Sequence, residues 1–149
     1  MPIHSNFEFK NAIIATAIDG EGSIMIFKHK HGNKQKTTID TKITITNTSL
    51  KWLKKIKKYI GFGRIHIQSG SKLSKKLTYC LTIEGQKNIK ILIKRIMKYL
   101  IIKKYQAKLL LDYCIQRNSI KGKRYTKKQL FLPNKITLLN NGGDLNSYT

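Results

Sequence analysis

Four stretches of alternating apolar and polar residues constrain the fold more than any other feature of the sequence. They lie at 23–30, 37–46, 64–68 and 76–83. In the second stretch, polar residues separate Ile39 from Ile43 and Ile45, the period-two pattern of a strand with one buried face. The pattern predicts four β-strands. Each has an apolar side and a side that carries Thr, Lys, Arg, His or Gln.

Helical segments alternate with these pairs of strands. Residues 7–18 predict a first helix with small side chains, ended by Asp19-Gly20 because glycine readily adopts the left-handed conformation. Asn47-Thr48-Ser49 supplies the cap of a second helix, which Gly61-Phe62-Gly63 closes. The apolar stripe of this second helix covers 52–60, and further stripes at spacings of three and four predict helices over 89–100 and 107–115.

The order of these elements predicts an αββαββα fold of the α+β class. It is an antiparallel β-sheet saddle with helices on one face. A weak apolar segment over 130–139 follows, and we expect one domain over 7–140 with flexible termini at 1–6 and 141–149.

The charge of the chain points to a polyanionic partner. Its 149 residues include 30 Lys and Arg but only 7 Asp and Glu, a formal net charge of +23. Apolar residues make up 40% of the chain, enough for a packed core, so this is not a disordered basic tail. Binding to anionic lipid is the weaker alternative, since the lysines are spread over helices and strands. Nucleic acid is the expected partner.

The cellular setting is indicated only by general features. No apolar run approaches the roughly 18 residues needed to span a bilayer, and the apolar stretch 12–18 runs into acidic residues, unlike a secretion signal. Cys80 and Cys114 have no CxxC partner. We expect an intracellular protein, and the abundance of Lys, Ile and Asn suggests an AT-rich genome such as that of a chloroplast or mitochondrion.

The polar sheet face is a candidate DNA-binding surface. A two-stranded ribbon fits the major groove of DNA, where polar side chains can read base edges. An ordinary solvated face would show the same alternation, and the net charge favours the DNA interpretation. The residues predicted to contact DNA are Phe27, His29, His31, Lys34, Thr38, Asp40, Lys42, Thr44, Arg64, His66, Gln68, Lys76 and Thr78.

Two of the few acidic residues lie together at the end of the first helix, in Asp19-Gly20-Glu21-Gly22. A carboxylate repels a phosphate unless a divalent cation lies between them, and Mg²⁺ prefers such hard oxygen ligands. This pattern indicates metal-dependent phosphodiester chemistry, with Mg²⁺ or another divalent cation such as Mn²⁺. A helix-ending turn with an incidental acid pair is the alternative.

Ile14-Ala15-Thr16-Ala17-Ile18-Asp19-Gly20-Glu21-Gly22 resembles the LAGLIDADG motif of intron- and intein-encoded homing endonucleases. The resemblance extends to ITITNTSLKWLKKIKKYIGFGRI, LTYCLTIEGQKNIKILIKRI and KKYQAKLLL, and so covers 7 to about 116. It implies that the first helix packs against that of a second domain at Ala15 and Thr16. It also implies that Glu21 binds the metal, with the Gly20 carbonyl nearby, while Asp19 is structural and hydrogen-bonds across the interface.

Two further catalytic roles follow from the same resemblance. Asn47 stands where relatives often place a polar residue that positions the water at the metal, although it could simply cap its helix. Lys103 stands where relatives place a lysine that supports the nucleophile and the transition-state charge. Lys104 is the neighbouring candidate, and a solvated lysine is the alternative for Lys103. Trp52 is expected in the core, and the histidines lack metal-ligand spacing.

The sequence contains one such motif, and one motif supplies one acid, whereas breaking both DNA strands requires two. We therefore expect a symmetric homodimer that cuts a long pseudo-palindromic DNA target, with Mg²⁺ at the scissile phosphate. The chain is expected to be intron-encoded. An RNA-binding maturase of the host intron and a non-catalytic DNA-binding regulator on the same fold are the alternatives.

Overall fold

The structure, a computed structural model, describes residues 4–32, 36–68, 76–119 and 124–142. The elements of the described segments are α1 (His4–Glu21), β1 (Gly22–His31), β2 (Lys36–Asn47), α2 (Leu50–Ile60), β3 (Arg64–Gln68), β4 (Thr78–Glu84), α3 (Gln86–Ile96), α4 (Lys104–Ser119) and α5 (Lys127–Asn140). A short 3-10 turn, Met97–Tyr99, follows α3. The strands form one antiparallel sheet, so the predicted α+β fold is confirmed.

The sheet has the strand order β1-β2-β4-β3, and its register aligns the apolar residues of neighbouring strands. Ile24 lies opposite Ile43, and Ile43 opposite Ile83, on three consecutive strands. Leu81 lies opposite Ile65 on the edge strand β3. Directly opposed residues share a face, so these side chains form one apolar surface. The alternation in the sequence therefore determines which face the helices cover.

Helices α1, α2, α3 and α4 bury their apolar stripes against this surface. Each fully buried Ile or Leu contributes roughly 1.5–3 kcal/mol relative to an exposed one. The helical residues in this core include Ile14, Ala15, Ile18, Leu53, Ile56, Ile60, Ile89, Leu92, Ile93, Ile96, Ala107, Leu110 and Cys114. Burial raises the pKa of the Cys114 thiol to about 11, which keeps it unreactive at neutral pH. Among the described residues, no helix is both long and apolar enough to cross a membrane.

The end of α1 differs from the prediction. The helix continues through Asp19-Gly20 to Glu21, and Gly20 is not among the described glycines with a positive φ. Glycine is required instead at Gly22, where a Cβ atom would lie 2.7 Å from the Cα and carbonyl oxygen of Ile18. The junction between α1 and β1 is therefore a close backbone contact, and the Asp19-Gly20-Glu21 segment belongs to the last helical turn.

The second helix begins and ends as the sequence predicts, with one refinement. The N-cap is Ser49, whose hydroxyl accepts a hydrogen bond from the Trp52 amide (3.2 Å), whereas Asn47 is the last residue of β2. Gly61 ends the helix in the left-handed region at φ 95°, and its amide donates to the carbonyl of Lys57. Glycine is favoured there because a side chain would strain this conformation.

The C-terminal helix α5 was underestimated by the sequence interpretation, which gave only a weak apolar segment. Its N-terminus is a capping box in which Thr126 and Gln129 exchange side chain-to-backbone hydrogen bonds. Near its C-terminus, the Asn140 amide donates to the carbonyl of Ile24 on the edge strand β1 (2.9 Å). Covering an edge strand in this way protects it from pairing with another chain.

Two tyrosines, one on α4 and one just before α5, bond to the backbone of β2. The pairing of β2 with β4 ends at Lys42. Earlier in β2, the Tyr125 hydroxyl accepts a hydrogen bond from the Ile39 amide (3.1 Å). The Tyr113 hydroxyl donates to the Ile39 carbonyl (3.3 Å), and burial raises the pKa of Tyr113. These bonds satisfy backbone groups that no strand reaches.

One arginine ties three helices together. The Arg95 guanidinium, on α3, donates to the side-chain oxygen of Asn11 on α1 (3.0 Å) and to the carbonyls of Ile60 (2.7 Å) and Tyr59 (2.9 Å) at the end of α2. It also lies 5.0 Å from the centre of the Phe7 ring. Desolvation lowers the pKa of Arg95. The planar guanidinium satisfies helix-end carbonyls that would otherwise lack partners.

We expect Arg95→Met to lower the free energy of unfolding by about 2–3 kcal/mol, because the variant loses three charge-assisted hydrogen bonds. Lys94→Met, at an exposed neighbouring position on the same helix, is the matched control and should change stability by less than about 0.5 kcal/mol. Urea denaturation measures both. Equal unfolding midpoints for the two variants would contradict the structural role of Arg95.

Candidate active site

The carboxylate of Asp19 is the organising group of the site. It accepts hydrogen bonds from the backbone amides of Ile101 (2.7 Å), Ile102 (3.2 Å) and Lys103 (2.9 Å). These amides belong to the turn that precedes α4, and a carboxylate that accepts from several backbone N–H groups makes strong, charge-assisted hydrogen bonds. We call this arrangement the Asp19 clamp. It fixes the C-terminal turn of α1 to the N-terminus of α4.

The clamp also places Lys103. Its ammonium donates to the backbone carbonyl of Asp19 (2.7 Å), at a helix end where carbonyls lack intrahelical partners. Lys103 is half-buried, whereas Lys104 is exposed. The structure therefore brings Lys103, rather than the neighbouring candidate Lys104, to the end of α1, next to Gly20 and Glu21.

Glu21 is the exposed last residue of α1 and has a different environment from Asp19. Among the described residues, the ion pairs engage Glu8 with Lys98 and Glu84 with Arg64, and no hydrogen bond or ion pair engages Glu21. Its carboxylate is therefore available to a ligand. Beside it, Gly20 is exposed, and a Cβ atom there would meet nothing within 4 Å.

These groups suit a divalent cation that completes its coordination with phosphate oxygens. The described residues contain no group of three or more His, Cys, Asp and Glu side chains that could enclose a metal ion. Mg²⁺ does not need such a cage, since it is usually held by one or two carboxylates together with substrate phosphates and water. The Glu21 carboxylate and the Gly20 carbonyl at the helix end supply hard oxygen donors of this kind.

Asn47 lies at the same edge of the sheet as this site. It is two residues beyond Ile45, which pairs with Gly22 at the start of β1. Its side-chain oxygen accepts from the Ser49 amide (2.7 Å), so it contributes to the turn that precedes α2. The oxygen has a second lone pair, so both it and the amide nitrogen remain available for the predicted catalytic role.

The face of α1 that the sequence assigned to a second protomer needs one correction. Ala15 is completely buried in the core of its own chain, so its side chain cannot contact another protomer. Thr16 is exposed as predicted, and its hydroxyl donates to the Ala12 carbonyl (2.9 Å), which leaves the methyl group outward. Asp19 makes its described hydrogen bonds within the chain, to the turn of the Asp19 clamp, rather than across an interface.

An apolar surface surrounds this face of α1. A shallow cavity of about 430 Å³ is lined by Phe9, Ala12, Ile13, Thr16, Ala17, Glu21 and Trp52. Trp52 packs against the core, as expected, and also forms one wall of this cavity. Phe9 is 63% exposed and Ile101 is 86% exposed. Exposed apolar residues concentrated beside a charged site are typical of a surface that another molecule covers.

The register places most of the predicted DNA-contacting residues on the sheet face away from the helices. These residues are Phe27, His29, Thr38, Asp40, Lys42, Thr44, Arg64, His66, Gln68 and Thr78. Lys76 lies two residues before β4. His31 ends β1, but its side chain lies outside the described residues, as does all of Lys34. Sequence alternation alone was sufficient to group the described set.

The sequence could not show which side chains on this outer face contact one another. The Lys42 ammonium lies 5.1 Å from the centre of the Phe27 ring, a cation–π geometry, rather than in an ion pair with Asp40. Arg64 lies 3.7 Å from the carboxylate of Glu84. Glu84 was missed because its strand was predicted to end at Ile83. It falls on the polar side, two residues after Thr82, so a longer strand would have included it.

The comparisons with known proteins identify the class. Residues 17–115 match the family described as LAGLIDADG endonuclease, and the chain therefore belongs to this family. No curated protein sequence matches the chain.

Solved structures share its fold. The homing endonuclease I-CvuI, in complex with the I-CreI target, matches with a TM-score of 0.75 and 20% identity over 91% of this chain and 84% of that one. The archaeal intron-encoded I-Vdi141I, complexed with DNA, matches with a TM-score of 0.69 and 19% identity over 93% and 86%. The group I intron-encoded I-CeuI, also complexed with DNA, matches with a TM-score of 0.64 and 20% identity over 74% and 56%.

We expect Asp19→Ala to lower the free energy of unfolding by about 2–3 kcal/mol, since three backbone N–H groups lose a charged acceptor. Amide hydrogen exchange should accelerate locally at Ile101, Ile102 and Lys103. Asp112→Asn, on the exposed side of α4, removes the same charge without touching the turn and serves as the control. Unchanged protection of the three amides in Asp19→Ala would show that the carboxylate does not hold the turn.

Proposed function

We infer that this chain is a site-specific homing endonuclease that makes double-strand breaks by metal-dependent phosphodiester hydrolysis. The observation that carries the proposal is the pairing of an unengaged carboxylate with an anchored lysine. No described residue engages the Glu21 side chain at the end of α1, and the Lys103 ammonium donates to the carbonyl two residues before it. A cation-binding group and a fixed positive charge at one exposed helix end suit attack on a phosphate.

A symmetric homodimer accounts for both DNA strands. Each protomer supplies one Glu21, and a two-fold axis beside α1 would present one carboxylate to each strand. The exposed face formed by Phe9, Ala12, Ile13 and Thr16 is the part of the described surface that fits this contact. The outward methyl of Thr16 is small enough for close approach, although glycine would allow a closer one.

The polar sheet face would read the DNA. Its long β1–β2 pair is a two-stranded antiparallel ribbon, and ribbons of this kind enter the major groove. Each protomer of a two-fold dimer reads one half-site, so the target should be long and pseudo-palindromic. The solved structures of I-Vdi141I and I-CeuI, both complexed with DNA, support DNA as the partner of this fold.

The residues of the site have distinct tasks in the proposed reaction. Glu21 and the Gly20 carbonyl would hold the divalent cation, Mg²⁺ or Mn²⁺, which supplies stabilisation of the charge on the phosphate. The Lys103 ammonium would add a fixed positive charge against the same phosphate, held there by the Asp19 clamp. The side-chain amide of Asn47 would orient the attacking water from the neighbouring sheet edge.

We also propose that the protein is intron-encoded. This is how I-Vdi141I and I-CeuI are described, and both share the fold of this chain. The test is genomic: an open reading frame inside an intron, with the cleavage site spanning the intron insertion point in the intron-free allele.

Glu21→Gln should abolish cleavage and leave DNA affinity within about twofold, because the amide keeps the shape but loses the charge that binds a hard cation. Binding is measured by mobility shift in Ca²⁺, and cleavage by linearisation of a target plasmid in Mg²⁺. Asp112→Asn makes the same change of charge outside the site and should cut normally. Loss of binding together with cleavage in Glu21→Gln would mean that Glu21 is structural. Full cleavage by that variant would overturn the assignment.

A further inference from the structure

Glu84 is an acidic residue on the face that is proposed to meet DNA. It ends β4 and lies opposite Lys42 of β2, on the same side as Thr82 and Arg64. The chain has only 7 acidic residues, and a carboxylate close to DNA phosphates costs binding energy. An acid in this position therefore requires a reason other than general affinity.

The contact between Glu84 and Arg64 does not supply stability. Their shortest N–O distance is 3.7 Å, beyond the usual range for a hydrogen bond. The two side chains are 57% and 65% exposed, and ion pairs of this kind contribute little to folding. The pair is therefore open, with donors on the guanidinium and acceptors on the carboxylate still available to a ligand.

Among the described residues, Arg64 is the one cation within 4.0 Å of the Glu84 carboxylate. Lys42, directly opposite Glu84, turns its ammonium over the Phe27 ring of β1. Arg64 reaches Glu84 diagonally, since its direct partner on β4 is Thr82. Long side chains cover this diagonal spacing on a sheet face. The result is one positive fork and one negative acceptor, side by side, on a surface that projects away from the helices.

We propose that Glu84 is a specificity-determining residue that reads one G·C base pair jointly with Arg64; this rests on the proposed function. Arginine pairs bidentately with O6 and N7 of guanine, and a carboxylate accepts from the N4 amine of cytosine. In a G·C pair, these groups are adjacent in the major groove. Replacing the pair with A·T puts the thymine O4, an acceptor, against Glu84, and the two acceptors repel each other.

The test compares binding profiles over all single-base substitutions of the target, which is first selected from a randomised duplex library with the unmodified protein. Profiles are measured in Ca²⁺, so that binding is read without cleavage. Glu84→Gln should reduce the preference for G·C over A·T about tenfold at one base pair in each half-site, since glutamine can donate to thymine as well as accept. Arg64→Ala should relax the same base pair.

Two controls separate local recognition from charge. Asp112→Asn also removes one negative charge, but from α4, and should leave the profile unchanged. In the double variant Arg64→Ala/Glu84→Gln, the preference for G·C over A·T should fall by less than the product of the two single-variant reductions, because the two residues read the base pair together. Thermal melting confirms that each variant is folded.

The outcomes distinguish this proposal from the broader one. Suppose that the unmodified protein is sequence-specific. The role of Glu84 alone is then overturned if the Glu84→Gln profile is unchanged or uniformly altered. It is also overturned if that profile relaxes at a base pair that Arg64→Ala does not affect. An unmodified protein that selects no sequence from the library would overturn the proposed site-specific endonuclease itself.

Discussion

The Asp19 clamp is the interaction on which the candidate site depends. A single carboxylate collects three amides from a turn more than 80 residues further along the chain, at distances of 2.7 to 3.2 Å. The same turn carries Lys103, whose ammonium donates to the Asp19 carbonyl. Among the described residues, no hydrogen bond or ion pair engages the Glu21 side chain. The two acids of the motif therefore have different environments, since the chain itself binds the carboxylate of Asp19.

Charge is distributed unevenly over the molecule. As a result, different surfaces suit attraction to a polyanion and discrimination between base sequences. Among the described side chains of the outer sheet face, Lys42 and Arg64 are balanced by Asp40 and Glu84. Helix α2, in contrast, carries five lysines and no acid. The helices therefore supply much of the long-range attraction to a polyanion, while the sheet presents paired donors and acceptors that suit the reading of base edges.

The elements with strong periodicity could be predicted from the sequence. Alternation of isoleucines located the strands and their buried face, and Ser49 and Gly61 bounded α2 with recognisable caps. Helix α5 was predicted only as a weak apolar segment, because its apolar pattern is weak and its position depends on tertiary contacts such as that of Asn140 with Ile24. The prediction that Gly20 ends α1 was also wrong, since the glycine that close backbone contact requires is Gly22. Glycine can end many helices, and this general property could not show that Gly22 packs against the backbone of Ile18.

The sequence named candidate residues for the site but could not show their contacts. The motif indicated Glu21 and Lys103, but no pattern could show that Asp19 binds the turn before α4 or that Ala15 points into the core. In the proposed mechanism, each protomer of a dimer cuts one DNA strand. The sharpest test is a mixed dimer, purified with two affinity tags, that pairs an unmodified protomer with a Glu21→Gln protomer. We expect this dimer to nick one strand of the target and stop. A double-strand break, or no cutting at all, would contradict it.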